Sequence, residues 1–402
     1  MLDLDLYTDP AAMREPLQSL PGLDAAAIRG VVVLHAARRA PRRDPASRTC
    51  RIAVCYGVET GERAGRILYG KVYPSDVCAE LAARADRPGA PAWLPELDML
   101  LWRFPHDPGL PQLGALLDET TELVHYRPEE RATLRRRSSA APGGTLYAKT
   151  FRGAEGAELC ERFSHLARLS ARPRAFEVAA PLRYDEASRT FWQHGVEAPA
   201  LAAMLDADNR DALMELVACG LAELHAAAPR FGPTRSVTDL TAAVLRRGTK
   251  IGRCMPQLAR TAQRTALAIA AHALDFLHAP LGQIHGDFHV GQLRVNGARM
   301  MVFDLDELAI GDPLEDLASF VVKCQLSDPE LAQSACERLL DAYARVRPAA
   351  FDPRRMDWHL AAQWLHKASR AFVFQRPGWR AAATRMLDEA KRHAARLARR
   401  PA

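Results

Sequence analysis

The 402-residue sequence has no GxxxxGK[ST] phosphate loop, which excludes a P-loop ATPase, and no GxGxxG lid. Its eight cysteines are scattered singly, at 50, 55, 78, 160, 219, 254, 324 and 336, with no close pair at the spacing of a zinc knuckle or redox motif. They read as reduced thiols. No window approaches the roughly 20 apolar residues of a spanning helix, and the start, MLDLDLYTDP, lacks the basic-then-apolar pattern of a secretory signal. The expectation is a cytoplasmic protein with no membrane partner. Aromatics make up only 7% of the chain, and the run Arg135, Arg136, Arg137 has none interleaved for base stacking, so no nucleic-acid partner is expected either. The net charge of +6 would also suit anionic substrates.

What is present fits an α+β chain of two or three subdomains. Residues 1–20 look like a loosely attached lead-in. Strand-like runs follow, CRIAVCYGV and RILYGKVY, within a segment 21–118 read as an N-terminal cap. A second strand-rich segment, 119–196, holds TLYAKTF, a helical stretch with Leu159, Phe163, Leu166 and Leu169 at helical spacing, and two further strands split by DEAS. From 197 to 402 the pattern turns to Ala- and Leu-rich helices. LYGKVY and LYAKTF echo each other, with Lys71 and Lys149 each followed nine residues later by Glu80 and Glu158.

The richest chemistry lies at QIHGDFHVGQ, then LRV, Asn296-Gly297, ARMMVF and DLDE. Asn-Gly between apolar runs predicts a hairpin, with both residues in a type I′ turn. Such a hairpin folds Phe303 back, so Asp287 should converge with Asp304 and Asp306. Clustered carboxylates repel unless a cation sits among them, and oxygen ligands suit Mg²⁺. Protein kinases place an Asp in H-R-D, an amide metal ligand after four more residues, and later a metal-holding Asp. Here His285-Gly286-Asp287, four residues, Gln292 and then Asp304 repeat that order. On this pattern Gln292 and Asp304 grip the metal and Asp287 accepts a hydroxyl proton. Zinc binding by His285 and His289, or a two-metal phosphoesterase built on GDFH, lacks its further ligands.

HGDFHVGQ…FDLDELAIGDPLEDLA resembles the aminoglycoside phosphotransferase and choline kinase-like family, whose pattern is HGDxxxxN followed by an Asp-rich strand end and GDPxxDLA. The likeness is specific over 284–320 and looser from about 120 to 380; residues 21–118 fall outside it. Gln292 replaces the commoner Asn, and HGDxHxGQ resembles the maltokinase variant, which also carries an N-terminal cap. The resemblance implies a two-lobed protein kinase-like fold, with a β-rich N-terminal lobe bearing the cap and a mainly helical C-terminal lobe. It also implies ATP and Mg²⁺ as cofactors, and a small-molecule hydroxyl acceptor such as a sugar, amino sugar or aminoglycoside. Lys149 becomes the lysine that steadies the α- and β-phosphates, with Glu158, or Glu161, to hold it. Backbone near Gln193 to Val196 would meet adenine. Asp306 would hold a second metal or stand behind the first.

Asp316 would brace the catalytic loop. The segment GDPLED itself reads as a capping box, Asp312 at the N-cap, Pro313 first and Glu315 third in the helix. A kinase-shaped binding protein without catalysis is the alternative, though candidates for the lysine, the base and the metal Asp are all retained. Trp358, Trp364 and Trp379 could stack on a sugar, but tryptophans in amphipathic helices are more often core.

Overall fold

A computed structural model describes residues 4–20, 28–38, 50–60, 63–83, 89–171, 174–327 and 329–399. The chain divides into two compact units. The first comprises 1–136, 149–153 and 370–381, and the second 137–148, 154–369 and 382–402. The strand Thr145–Phe151, which carries Lys149, is divided between them.

In the first unit Ile28–Arg38, Ile52–Thr60 and Arg63–Val72 form an antiparallel meander; Met99–Arg103 then pairs with Arg63–Val72, and Ala92–Leu94 closes the edge. Period-two alternation shows in the first strand, where Val31 and Val33 are buried while Val32 and Leu34 are exposed. Residues 4–20 are better anchored than a loose lead-in. They contain the helices Leu4–Thr8 and Pro10–Gln18, with Met13 and Leu17 fully buried, and the Tyr7 hydroxyl donates to the Leu97 carbonyl at 3.2 Å. Asp9 caps the second of these helices by accepting from the Ala11 amide at 2.8 Å.

Lys71, which the sequence echo of Lys149 and Glu158 sets nine residues before Glu80, pairs with Glu129 at 2.8 Å. Glu129 sits at φ +60° in the turn between Thr121–Arg127 and Arg131–Arg137. Its carboxylate also accepts from the Tyr69 hydroxyl at 2.9 Å, and its amide donates to Asp107 at 2.8 Å. Burial alone would pull the Lys71 ammonium down, but the hydrogen bonds to Glu129 and Tyr73 outweigh it and leave the pKa raised. In the basic run, Arg135 pairs with Glu122 and Arg136 with Asp118, so these charges lie on a solvated strand pair.

The second unit carries the helix Glu155–Ser170, which buries Leu159, Phe163 and Leu166, and the antiparallel pair Pro181–Asp185 and Thr190–His194. Its helices include Arg210–His225, packed against Pro329–Val346, and Val237–Cys254, packed against Ala259–Ala271. Ser236 and Asp239 close a reciprocal capping box on Val237–Cys254. The helix Ala259–Ala271 is followed by a 3₁₀ turn, Ala273–Phe276, with the His272 ring against Asp275 at 3.2 Å. All eight cysteines are free thiols. Among the described residues no helix is long and apolar enough to cross a membrane.

Candidate active site

The strand Gly282–Ile284 pairs antiparallel with Ala309–Gly311 and delivers the chain to His285. Beyond the loop, Leu293–Asn296 pairs with Arg299–Val302, so the expected hairpin is present. Its turn lies one residue later than the Asn-Gly reading places it. Asn296 still pairs with Arg299, Gly297 is the first central residue at φ +58°, and Asn296 has no positive φ. A glycine first and an ordinary residue second is the type II′ pattern, not I′.

Both ends of the hairpin are tied to the loop. The Phe303 amide donates to the Gln292 carbonyl at 3.0 Å, and His285 Nε2 lies 2.7 Å from the Phe303 carbonyl. A carbonyl only accepts, so His285 carries its proton on Nε2; its Nδ1 is then free to accept from the Asp287 amide at 3.3 Å. This fully buried histidine is a framework group. His289 accepts on Nδ1 from the Gly291 amide at 3.1 Å. Burial first, then the nearby Lys323, pushes its pKa down to about 4, so it is neutral near pH 7.

Asp316 grips the loop from the helix Leu314–Ser327. Its two carboxylate oxygens accept the amides of His285 and Gly286 at 2.7 and 2.8 Å, and His225 lies 3.1 Å from one of them. Complete burial pushes this carboxyl upward, but those hydrogen bonds and neighbouring imidazoles prevail and its pKa is lowered. Asp312 caps the same helix, accepting the Leu314 amide at 3.0 Å. The reciprocal half of the expected capping box is not made. Glu315 turns instead to Arg235, at 2.8 Å.

Arg235 has no counterpart in the sequence reading. Besides Glu315 it binds the Glu307 carboxylate at 2.6 Å and the Glu307 carbonyl at 3.0 Å, which ties the turn after Asp304 to the helix below. No motif marks it. Gly286, at φ +84°, needs its hydrogen side chain, because a Cβ there would lie 2.2 Å from the Glu307 carbonyl oxygen.

Within this frame the Asp287 side chain is 41% exposed, with Lys323 Nζ at 3.7 Å and His289 Nε2 at 3.9 Å. Gln292 Nε2 lies 3.0 Å from Asp304 Oδ2, and Asp304 adopts φ +58° at the start of the 3₁₀ turn Leu305–Glu307 that carries Asp306. The amide and carboxylate assigned to a metal are therefore neighbours. Among the described residues no three His, Cys, Asp or Glu side chains form a metal-holding group. One carboxylate plus an amide whose oxygen can turn inward is still a fitting set for Mg²⁺, which keeps several waters and takes phosphate oxygens.

The other expected nucleotide residues are placed as follows. Lys149 lies half-buried on its strand. Glu158 is 72% exposed and pairs with Arg162 one turn on, at 2.8 Å, and Glu161 is exposed. Gln193 lies opposite Pro181 in the strand pair. Val196 lines a cavity of about 520 Å³ together with Ala179, Glu197, Asn296 and Arg299. Trp358 is fully buried and donates to the Ile269 carbonyl at 3.0 Å, and Trp364 is also buried, so both belong to the core.

A strand-rich N-terminal region, a helical C-terminal part and this loop-hairpin-helix arrangement define a protein kinase-like α+β fold. Solved structures agree with it at the level of fold. A thermostable mutant of aminoglycoside phosphotransferase APH(4)-Ia superposes with TM-score 0.52 at 14% identity, covering 68% of this chain and 94% of that one. The same enzyme as a ternary complex with AMP-PNP and hygromycin B gives 0.51 at 16% identity, with the same coverages. Choline kinase LicA from Streptococcus pneumoniae gives 0.50 at 12%, covering 71% and 96%. The family model for the phosphotransferase enzyme family, APH, matches residues 129–349, more than half of the chain, and the protein belongs to that family. No curated protein matches it.

Proposed function

We propose that the protein transfers the γ-phosphoryl group of ATP, with Mg²⁺, to a hydroxyl of a small molecule such as a sugar, an amino sugar or an aminoglycoside-like compound. One observation carries this reading. Asp287 is the solvent-accessible carboxylate of a loop whose backbone is fixed by Asp316 and His285, beside a neighbouring Gln292–Asp304 pair.

Asp287 orients the acceptor hydroxyl and takes its proton as the oxygen attacks phosphorus. Gln292 and Asp304 hold Mg²⁺, and Asp306 holds a second ion or backs the first. Mg²⁺, when bound, neutralises charge on the phosphate oxygens. Lys149 steadies the α- and β-phosphates. Glu158 is its assigned partner, and leaving Arg162 for it would forfeit only an exposed i,i+4 pair, about 0.3–0.5 kcal/mol. Backbone groups from Gln193 to Val196 meet adenine. Transfer of this kind rests on position and charge, so each polar group in the set counts.

ADP release from Mg²⁺-ATP, measured over a panel of hydroxylated acceptors, tests the reading. Asp287→Asn is expected to lower kcat by about 10³ or more. Gln292→Leu is expected to raise the Mg²⁺ concentration needed for half-maximal rate without a comparable change in acceptor KM. Full turnover by Asp287→Asn would sink the assignment.

A further inference from the structure

The brace on the loop that carries Asp287 does not end at Asp316. That carboxylate is met by His225, the last residue of the helix Arg210–His225, and the imidazole is met in turn by Tyr343 from the helix Pro329–Val346. All three side chains are fully buried. The sequence does not announce them, because His225 stands 91 residues from one partner and 118 from the other. The end of the His225 helix also lies against the strand that leads into the loop: a Cβ at Gly282 would come within 2.7 Å of the His225 carbonyl oxygen.

The proton positions follow from what each atom can do. Burial pushes the Asp316 carboxyl upward, but its hydrogen bonds, that of His225 first, hold it below its ordinary value, so the carboxylate only accepts. His225 Nε2, 3.1 Å from Asp316 Oδ2, is therefore a donor. Burial raises the Tyr343 hydroxyl well above its ordinary value, and it keeps its proton. Its oxygen lies 2.7 Å from His225 Nδ1, and among the described residues this hydroxyl has no other partner. A doubly protonated ring would leave the buried hydroxyl proton without an acceptor. A neutral ring protonated on Nε2 satisfies every atom, with the hydroxyl donating to Nδ1 and Nε2 donating to the carboxylate. Turning the ring over would put carbons where both nitrogens stand, so Tyr343 and Asp316 together fix its orientation.

We propose that His225 and Tyr343 are positioning residues for phosphoryl transfer, an inference that rests on the reading of Asp287 as the base. The Tyr343 hydroxyl orients the His225 ring, whose Nε2–H keeps the Asp316 carboxylate turned towards the amides of His285 and Gly286, at 2.7 and 2.8 Å. Those amides set where the backbone of Asp287 stands. Neither residue touches the reactants, so both act on the alignment of the base with the hydroxyl, not on the binding of nucleotide or acceptor.

The test compares Tyr343→Phe, His225→Leu and His225→Gln with the native full chain, using ADP release from Mg²⁺-ATP with the best acceptor of the panel above. Phenylalanine keeps the shape and loses the hydroxyl; glutamine keeps an N–H donor for Asp316, and leucine keeps none. The expected result is a kcat lower by about tenfold in Tyr343→Phe and about a hundredfold in His225→Leu, with each KM changed less than about twofold. His225→Gln should recover about tenfold of the leucine loss. The His285 and Gly286 amides should exchange about tenfold faster in Tyr343→Phe, and ¹⁵N signals of the native imidazole should show a neutral ring protonated on Nε2. Val244→Ala, a buried packing loss in the helix Val237–Cys254, is the control for stability alone and should leave kcat unchanged. If His225→Leu does not fold, Tyr343→Phe and the native spectrum still decide. An unchanged kcat in folded Tyr343→Phe, a ring protonated on Nδ1, or an equal loss of kcat in Val244→Ala overturns the inference and leaves phosphotransfer standing. No ADP from any acceptor with the native chain overturns both.

Discussion

Of the two histidines in the loop, His289 carries a pH dependence. His289 is held down to about 4 by burial and by Lys323, whereas in an unfolded chain it would titrate near 6.5. Between those values the unfolded state binds more protons than the folded one, so this group's contribution to stability is full above about pH 6.5 and declines as the pH falls towards about 4. Urea midpoints at about pH 7 and about pH 5 should show the loss in the native protein, and His289→Gln should show a smaller one. At this scale the spacing of Asp287, Gln292 and Asp304 repeats a chemical order, which is why the sequence singles them out for the proposed site. Arg235 is not singled out, since its partners lie 51 to 80 residues further on and no local pattern announces them.

At the scale of elements, the loop is shaped as much by what is missing at Gly286 as by its side chains. Gly286→Ala would drive a methyl into the Glu307 carbonyl and impose a positive φ on alanine. The expected penalty is about 2–4 kcal/mol in denaturant unfolding, with kcat reduced because the shift is passed directly to Asp287. An unchanged midpoint would mean that the loop yields more easily than its packing implies. The hairpin itself was legible from Asn-Gly between apolar runs, while its turn register was not: a glycine first in the turn, as in Gly297-Ala298, also makes a two-residue hairpin. Strand pairing with Phe176–Val178, far back in the chain, adds a constraint invisible to local sequence. The same limit applies to Glu315, which fits a capping box locally but is drawn to an arginine 80 residues away.

For the molecule as a whole, the order of strand, helix, strand pair, helices, catalytic loop and capped helix made the kinase-like fold readable. The cap was readable only as strands. Lys71 shows why. Repetition of a lysine-bearing strand suggested Glu80, yet the ammonium is satisfied by Glu129, 58 residues on, in a turn whose left-handed residue gives no strong local cue. Both side chains are nearly buried, 12% and 13% exposed. Lys71→Met strands the Glu129 carboxylate and should cost about 3–5 kcal/mol, seen as a lower thermal midpoint. Combining it with Glu129→Gln should recover part of the loss, and strict additivity of the two would show that the pair is not coupled.

Asp316 has a kinetic consequence. Since its carboxylate holds the amides of His285 and Gly286 from inside a helix, their exchange with solvent should follow the opening of the first turn of Leu314–Ser327 rather than loosening of the loop alone. Loop and turn are then expected to open together as one cooperative unit. The backbone of Asp287, the proposed base, is then expected to be as long-lived in its position as the helix that holds the loop, with its side chain moving on the timescale of rotamers.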